Sequence, residues 1–223
     1  MAPQPCGAPA RGCAAVRLRP RRRSGRTLLK RLPLLLTALR VALAPPMVLL
    51  ALLHPARAAF GACLLAGFLS DVFDGILARR LGVATPRLRR LDSAADTLFY
   101  LAVAVCAWRL YPQALTRRAG LLGLLLALEA ARYLLDWLRF GREASYHTWS
   151  AKLFGVLLFA GCFALLALGR DSATLTAALW CGIFSDLEGV AISLTLRQWR
   201  TDVPTLWHAL QWRRAARHAG DGT

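Results

Sequence analysis

Acidic residues are scarce in this chain. Twelve Asp and Glu stand against 29 Lys and Arg in 223 residues, for a formal net charge of +17 and a pI near 11.3. Residues 1–31 hold no acid at all. Zinc-type spacing is missing too. None of Cys6, Cys13, Cys63, Cys106, Cys162 and Cys181 forms a CxxC or pairs with a histidine at zinc spacing. Four of the six lie inside apolar blocks, where cysteine acts as a small hydrophobe. Also lacking is any basic, aromatic-interleaved soluble domain, which argues against nucleic acid as the partner of the excess charge. The arginines cluster between apolar blocks, and an anionic membrane surface is the simpler partner.

What is present is apolar. Hydrophobic residues make up 57% of the chain and the mean hydropathy is +0.43, where a soluble domain has about 45–50%. The excess lies in six blocks, roughly 32–53, 58–78, 91–110, 119–138, 149–168 and 174–196, each about long enough to span a bilayer. The expected fold is an all-α integral membrane protein, a six-transmembrane-helix bundle with both termini cytoplasmic. Residues 1–31 read as a basic, disordered arm that ends in a short interfacial helix at RTLLKRL. Residues 32–198 form the membrane domain, and 199–223 a basic cytoplasmic tail. Pro45-Pro46 should kink the first span.

Loop charge orients the bundle. With the N-terminus inside, most Lys and Arg fall on the inner side, including RRLGVATPRLRR, RFGREASYHTWSAK and the tail from Arg197. An ionisable residue at mid-membrane costs about 2.5–3.5 kcal/mol on insertion scales, so it has a job or a partner. In this orientation Arg40, Asp71, Asp74, Asp92, Asp96, Arg132, Asp136, Lys152, Asp186 and Glu188 share the inner depth, while Glu129 lies near the midplane. A transporter needs polar groups along a path through the membrane. A membrane enzyme acting on a lipid and a soluble substrate needs one cavity at the inner face, and the asymmetry fits the enzyme.

Asp71 and Asp74 are i, i+3 on one helix, and Asp92 and Asp96 are i, i+4 on the next. A short link lets all four carboxylates converge at one depth, where they cannot all stay ionised without a counter-charge. Arginines could supply it, with Arg79, Arg80, Arg87, Arg89 and Arg90 nearby. However, Asp71 and Asp74 stand at a helix C-terminus, where the macrodipole disfavours negative charge. Carboxylates held against the dipole suggest divalent cations, and all-oxygen ligands suit Mg²⁺, Mn²⁺ or Ca²⁺. Two such ions would neutralise four carboxylates in a phosphoryl-transfer site. Gly75 and Ala78 are small and Arg79 carries a planar fork, a combination suited to a phosphate-bearing ligand. For Arg132 an intrahelical bridge to Glu129 or Asp136 is the plainer reading, and for His147 and Trp149 an interfacial anchor.

These residues resemble the signature of the CDP-alcohol phosphotransferase family, D-x2-D-G-x2-A-R-x8-G-x3-D-x3-D. Asp71, Asp74, Gly75, Ala78, Arg79, Asp92 and Asp96 match at every spacing, and Leu88 stands where the family has its second glycine. The segment LPLLLTALR is similar to the start of bacterial phosphatidylglycerophosphate synthase-like members. The resemblance implies phospholipid biosynthesis, with a phosphatidyl group passing from CDP-diacylglycerol to a small alcohol and CMP released. Asp71, Asp74, Asp92 and Asp96 would hold two ions, Mg²⁺ or Mn²⁺. Asp96 would also be the catalytic base. Thr37, Arg40, Gly75, Ala78, Arg79 and Thr85 would bind the CDP-lipid. Arg132 and Lys152 would bind the acceptor, with glycerol 3-phosphate the first candidate. Membrane lipids and a homodimeric partner are implied, in a bacterial inner membrane with the site facing the cytoplasm. The alternatives are a divergent inactive member acting as a membrane scaffold, favoured by Leu88, and a membrane transporter.

Overall fold

The computed structural model describes residues 24–82, 85–141, 148–196, 203 and 205–212, without the side chains of 24–31, 86, 87 and 89. The arm 1–23, the loop 142–147 with His147, and most of the basic tail lie outside the described residues. Every element among those described is helical: α1 (Ser24–Leu53), α2 (Arg57–Arg80), α3 (Pro86–Leu110), α4 (Pro112–Thr116), α5 (Ala119–Phe140), α6 (Trp149–Leu166) and α7 (Ala173–Thr195). A short helix, α8, follows at 206–212. The RTLLKRL segment is continuous with the first span, because α1 starts at Ser24. The helix also continues through Pro33, Pro45 and Pro46, each of which removes one N–H from the ladder.

Among the described residues, five stretches are long and apolar enough to cross a membrane: Leu32–Leu53, Arg57–Arg80, Arg90–Leu110, Trp149–Leu166 and Ala173–Thr195. Six spans were expected on sequence. The exception is α5, whose 22 residues would reach about 33 Å at 1.5 Å per residue. Glu129, Arg132 and Asp136 make it too charged to be counted with the five on composition. Much of that charge is directed inward, onto α7. Arg132 pairs with Asp186, Nε to Oδ1 at 3.3 Å, and the fully buried Asp136 accepts a 2.5 Å hydrogen bond from Ser193 Oγ. The intrahelical bridge expected for Arg132 is therefore replaced by an interhelical one.

Two groups of helices make up the bundle. α1 packs on α2 and α3, while α7 packs on α5 and α6, and α6 touches both α2 and α3 to join them. The core fills the junction with Met47, Phe60, Leu64, Phe99, Val103 and Leu165, all at most 2% exposed. Small residues set the approach distances, as is usual between helices in lipid. At Gly67 an added methyl would run into the Phe99 ring, and at Gly161 it would meet the Leu175 backbone at 2.8 Å.

The turn from α2 to α3 delivers both pairs of aspartates to one end of the bundle. The Leu81 N–H still donates to Leu77 O at 2.8 Å, and Gly82 then adopts φ 63°, which ends the helix. Thr85 restarts the chain as an N-cap, accepting from the Leu88 N–H at 3.2 Å, with Pro86 in the first turn. Because successive long helices alternate in direction, the ends of α2, α5 and α7 and the starts of α3 and α6 share this end.

Candidate active site

Four carboxylates from α2 and α3 surround one arginine from α1. Arg40 is 1% exposed and bonds to all four, through Nη1 to Asp71 (3.1 Å) and Asp96 and through Nη2 to Asp74 and Asp92. Helical spacing explains the convergence. Asp71 and Asp74 lie on one face of the last turns of α2, while Asp92 and Asp96 lie on one face of the early turns of α3. Thr37, one turn before Arg40, donates to Pro33 O at 3.1 Å and places Oγ1 3.5 Å from Asp74 Oδ2. The Arg40 and Thr37 side chains are thus part of the carboxylate cluster itself.

Formal charge in this cluster does not balance. One guanidinium faces four carboxylates, and its buried Nε has no hydrogen-bond partner among the described residues. Carboxylate oxygens of Asp71, Asp74 and Asp92 lie within 4.8 Å of one another, close enough to share a cation. A hard, all-oxygen donor set of this kind fits Mg²⁺ or Mn²⁺. On charge, donor type and spacing, the residues present therefore fit a divalent metal centre. Asp96 lies outside that tight trio but reaches the same Arg40 amine as Asp71.

The cluster opens on a cavity of about 440 Å³, lined among others by Arg40, Asp71, Asp92, Asp96, Thr148 and Lys152. Lys152 comes from the first turn of α6, and its Nζ sits 4.4 Å from the centroid of the exposed Trp149 ring. The structure thus brings one of the two expected acceptor residues to the carboxylates. Arg132 is not among the described residues lining this cavity, and it faces Asp186 instead.

An ideal methyl at Gly75 would lie 3.4 Å from Arg79 Nη1, so the guanidinium folds back over bare backbone. Ala78 is buried and Thr85 is exposed as the α3 cap. Leu88 occupies the first turn of α3, where the backbone is helical and donates to the cap. No left-handed geometry there requires a glycine, and Leu88 is not among the cavity's lining residues.

A family model for CDP-alcohol phosphatidyltransferases matches residues 30–193, well over half of the chain. The chain belongs to the CDP-alcohol phosphatidyltransferase family. Neither a curated protein nor a solved structure matches it. Membership makes this phosphatidyltransferase an enzyme of phospholipid biosynthesis, a transferase of substituted phosphate groups that uses a CDP-alcohol in a lipid environment. Divalent-metal dependence is typical of the family, and the acidic cluster suits it. The match starts within α1 and ends at Ser193, two residues before the end of α7.

Sequence reasoning had not assigned parts to Thr148, Phe99 and Tyr100, which also line the cavity. Thr148 had a readable signal, as a hydroxyl residue just ahead of the apolar run of α6, where it caps the helix by accepting from the Ala151 N–H. The two aromatic residues had none, because nothing in one helix's sequence says which neighbour its ring meets.

Proposed function

We propose that this enzyme transfers a phosphatidyl group from CDP-diacylglycerol to glycerol 3-phosphate and releases CMP. The observation that carries the choice of acceptor is the cavity shared by Lys152 with Asp71, Asp92 and Asp96. A cation across from a carboxylate cluster suits an acceptor that has a hydroxyl at one end and a phosphate at the other. The similarity of LPLLLTALR to phosphatidylglycerophosphate synthase-like members supports the same choice.

In this reading Asp71, Asp74, Asp92 and Asp96 hold two Mg²⁺ or Mn²⁺ ions. Bound ions would neutralise the diphosphate and stabilise the charge that develops as the bond to CMP breaks. Thr37, Gly75, Ala78, Arg79 and Thr85 line the CDP site, with the bare backbone at Gly75 admitting the ligand and Arg79 pairing with phosphate. Arg40, held here by the carboxylates, turns to the diphosphate. Lys152 holds the acceptor's phosphate; Arg132, paired with Asp186, supports the neighbouring helices and completes the acceptor side. Asp96 takes the hydroxyl proton. The acceptor oxygen forms its bond to the β-phosphorus, and the bridging oxygen leaves with CMP.

The basic loops and tail at the site end support a cytoplasmic site and cytoplasmic termini in a bacterial inner membrane. The exposed apolar flanks of α3, including Leu98, Leu101 and Trp108, suit both lipid and a second copy of the chain. Purified protein with CDP-diacylglycerol and Mg²⁺ should release CMP with glycerol 3-phosphate and not with serine or inositol phosphate. CMP released with another acceptor alone would replace the substrate. CMP released with none would leave the inactive scaffold as the better reading.

A further inference from the structure

The family match stops at residue 193, yet the chain beyond it packs onto the bundle. Val203 and Ala209 are fully buried. With Leu206 and Trp212 they pack on Ile192 and Leu196 at the end of α7 and on Phe140 at the end of α5. α8 thus covers the site end of the α5–α7 group.

Glu188, on α7, ties this docked segment to the active-site wall. One of its carboxylate oxygens accepts from the Leu206 backbone N–H at 3.3 Å, and the other from Ser150 Oγ at 2.5 Å. Ser150 Oγ lies 2.8 Å from Thr148 Oγ1, which accepts the Ala151 N–H at 3.2 Å. Four linked hydrogen bonds therefore run from α8, through α7, into the first turn of α6. That turn supplies Thr148, Ala151 and Lys152 to the cavity.

Lys152 has a long, flexible, exposed side chain, so its reach into the cavity is only as well defined as the turn that carries it. The first four N–H groups of any helix lack an intrahelical partner, and here Thr148 satisfies that of Ala151. Holding Thr148 and Ser150 from α7 fixes the turn where helix hydrogen bonding alone does not.

We propose that α8 is a strut for the acceptor side of the site, with Glu188 as the positioning residue that sets the first turn of α6 and hence Lys152. The strut rests on the reading of Lys152 as the acceptor's phosphate partner. α8 lies beyond the family match, whereas Glu188, Ser150, Thr148 and Lys152 lie within it.

Two substitutions at one position isolate the link. Leu206→Pro removes the donated N–H at the start of a helix, where proline is tolerated, while Leu206→Ala keeps the N–H and also trims the side chain. In full-length protein, Leu206→Pro should speed amide exchange in the first turn of α6 by about tenfold or more over Leu206→Ala, with α1–α3 unchanged. The KM for glycerol 3-phosphate should rise by about fivefold while that for CDP-diacylglycerol moves less than about twofold. Glu188→Ala should behave like Leu206→Pro. Glu188→Gln, which keeps an oxygen for Leu206 and offers an amide to Ser150, should restore both readouts. Equal exchange in the two Leu206 variants, or a loss confined to kcat, would overturn the strut. The exchange difference between the two Leu206 variants, together with no CMP release by the wild type on glycerol 3-phosphate, would uphold the strut and remove the acceptor reading.

Discussion

Arg40 and Arg118 stand at opposite ends of α3, and each gathers several acceptors, but their surroundings differ in charge. Arg118, with a side chain 12% exposed, donates to Ala114 O at 2.7 Å, Thr176 Oγ1 at 2.8 Å and Ser172 O at 3.3 Å, and pairs with Asp171 at 2.6 Å. One carboxylate answers it, the remaining acceptors are neutral, and α4 is fastened to the start of α7. Among the described residues Arg40 meets four carboxylates and no neutral acceptor, and its Nε has no hydrogen-bond partner. A group that only stabilises the fold is expected to be balanced, because buried charge is costly unless paired and hydrogen-bonded. Buried Arg118 meets that expectation, with Asp171 also pairing with the exposed Arg117 at 3.6 Å. The Arg40 cluster carries three formal negative charges in excess, which suits a site that works on cations.

The contrast can be broken most sharply at Asp96. Asp96→Ala should lower the rate of CMP release by about 10²–10⁴-fold, the range expected for a lost general base. Undiminished turnover would remove its role as base. Its thermal midpoint in EDTA should not fall, because one of four mutually repelling carboxylates has gone. Next in size is Arg40→Ala. In EDTA it should cost about 3–5 kcal/mol, as expected when a buried charge partner is removed. Mg²⁺ should restore much of the loss in a thermal-unfolding titration, and an equal loss with and without Mg²⁺ would contradict the cation-binding account. Arg118→Ala should cost about 1–3 kcal/mol from the acceptors it strands, independent of Mg²⁺, and leave kcat nearly unchanged. The smallest effect is expected of Leu88→Gly, about 1 kcal/mol of lost helix stability in α3 with no gain in activity. A large gain in CMP release would show instead that the leucine obstructs the native site.

The convergence of the four aspartates was largely legible in the sequence. Fixed spacing within α2 and within α3 determines which aspartates share a face, and a five-residue turn leaves few ways to join the two helices. Arg40 stood out as a charge in the middle of an apolar block. Its partners did not, because a guanidinium is long enough to reach either the membrane surface or a neighbouring helix. Arg132 illustrates the limit. Its i−3 and i+4 neighbours were visible, whereas Asp186 became a partner only through the packing of α5 on α7. The docking of 203–212, by contrast, was open to reading. Arginines flank it on both sides, yet VPTLWHALQW itself holds no Lys or Arg, and Val203, Leu206, Ala209 and Trp212 recur every three residues, a readable signal of a buried helical face.

Gly67 and Phe99 lie one helical turn deeper in the membrane than Asp71 and Asp96, and both line the cavity. The ring rests against glycine backbone and is 2% exposed. It therefore forms an apolar floor at the deep end of the cavity, between α2 and α3. Under the proposed function, one aromatic ring and one missing methyl group would set how deep the polar half of a CDP-lipid can sit.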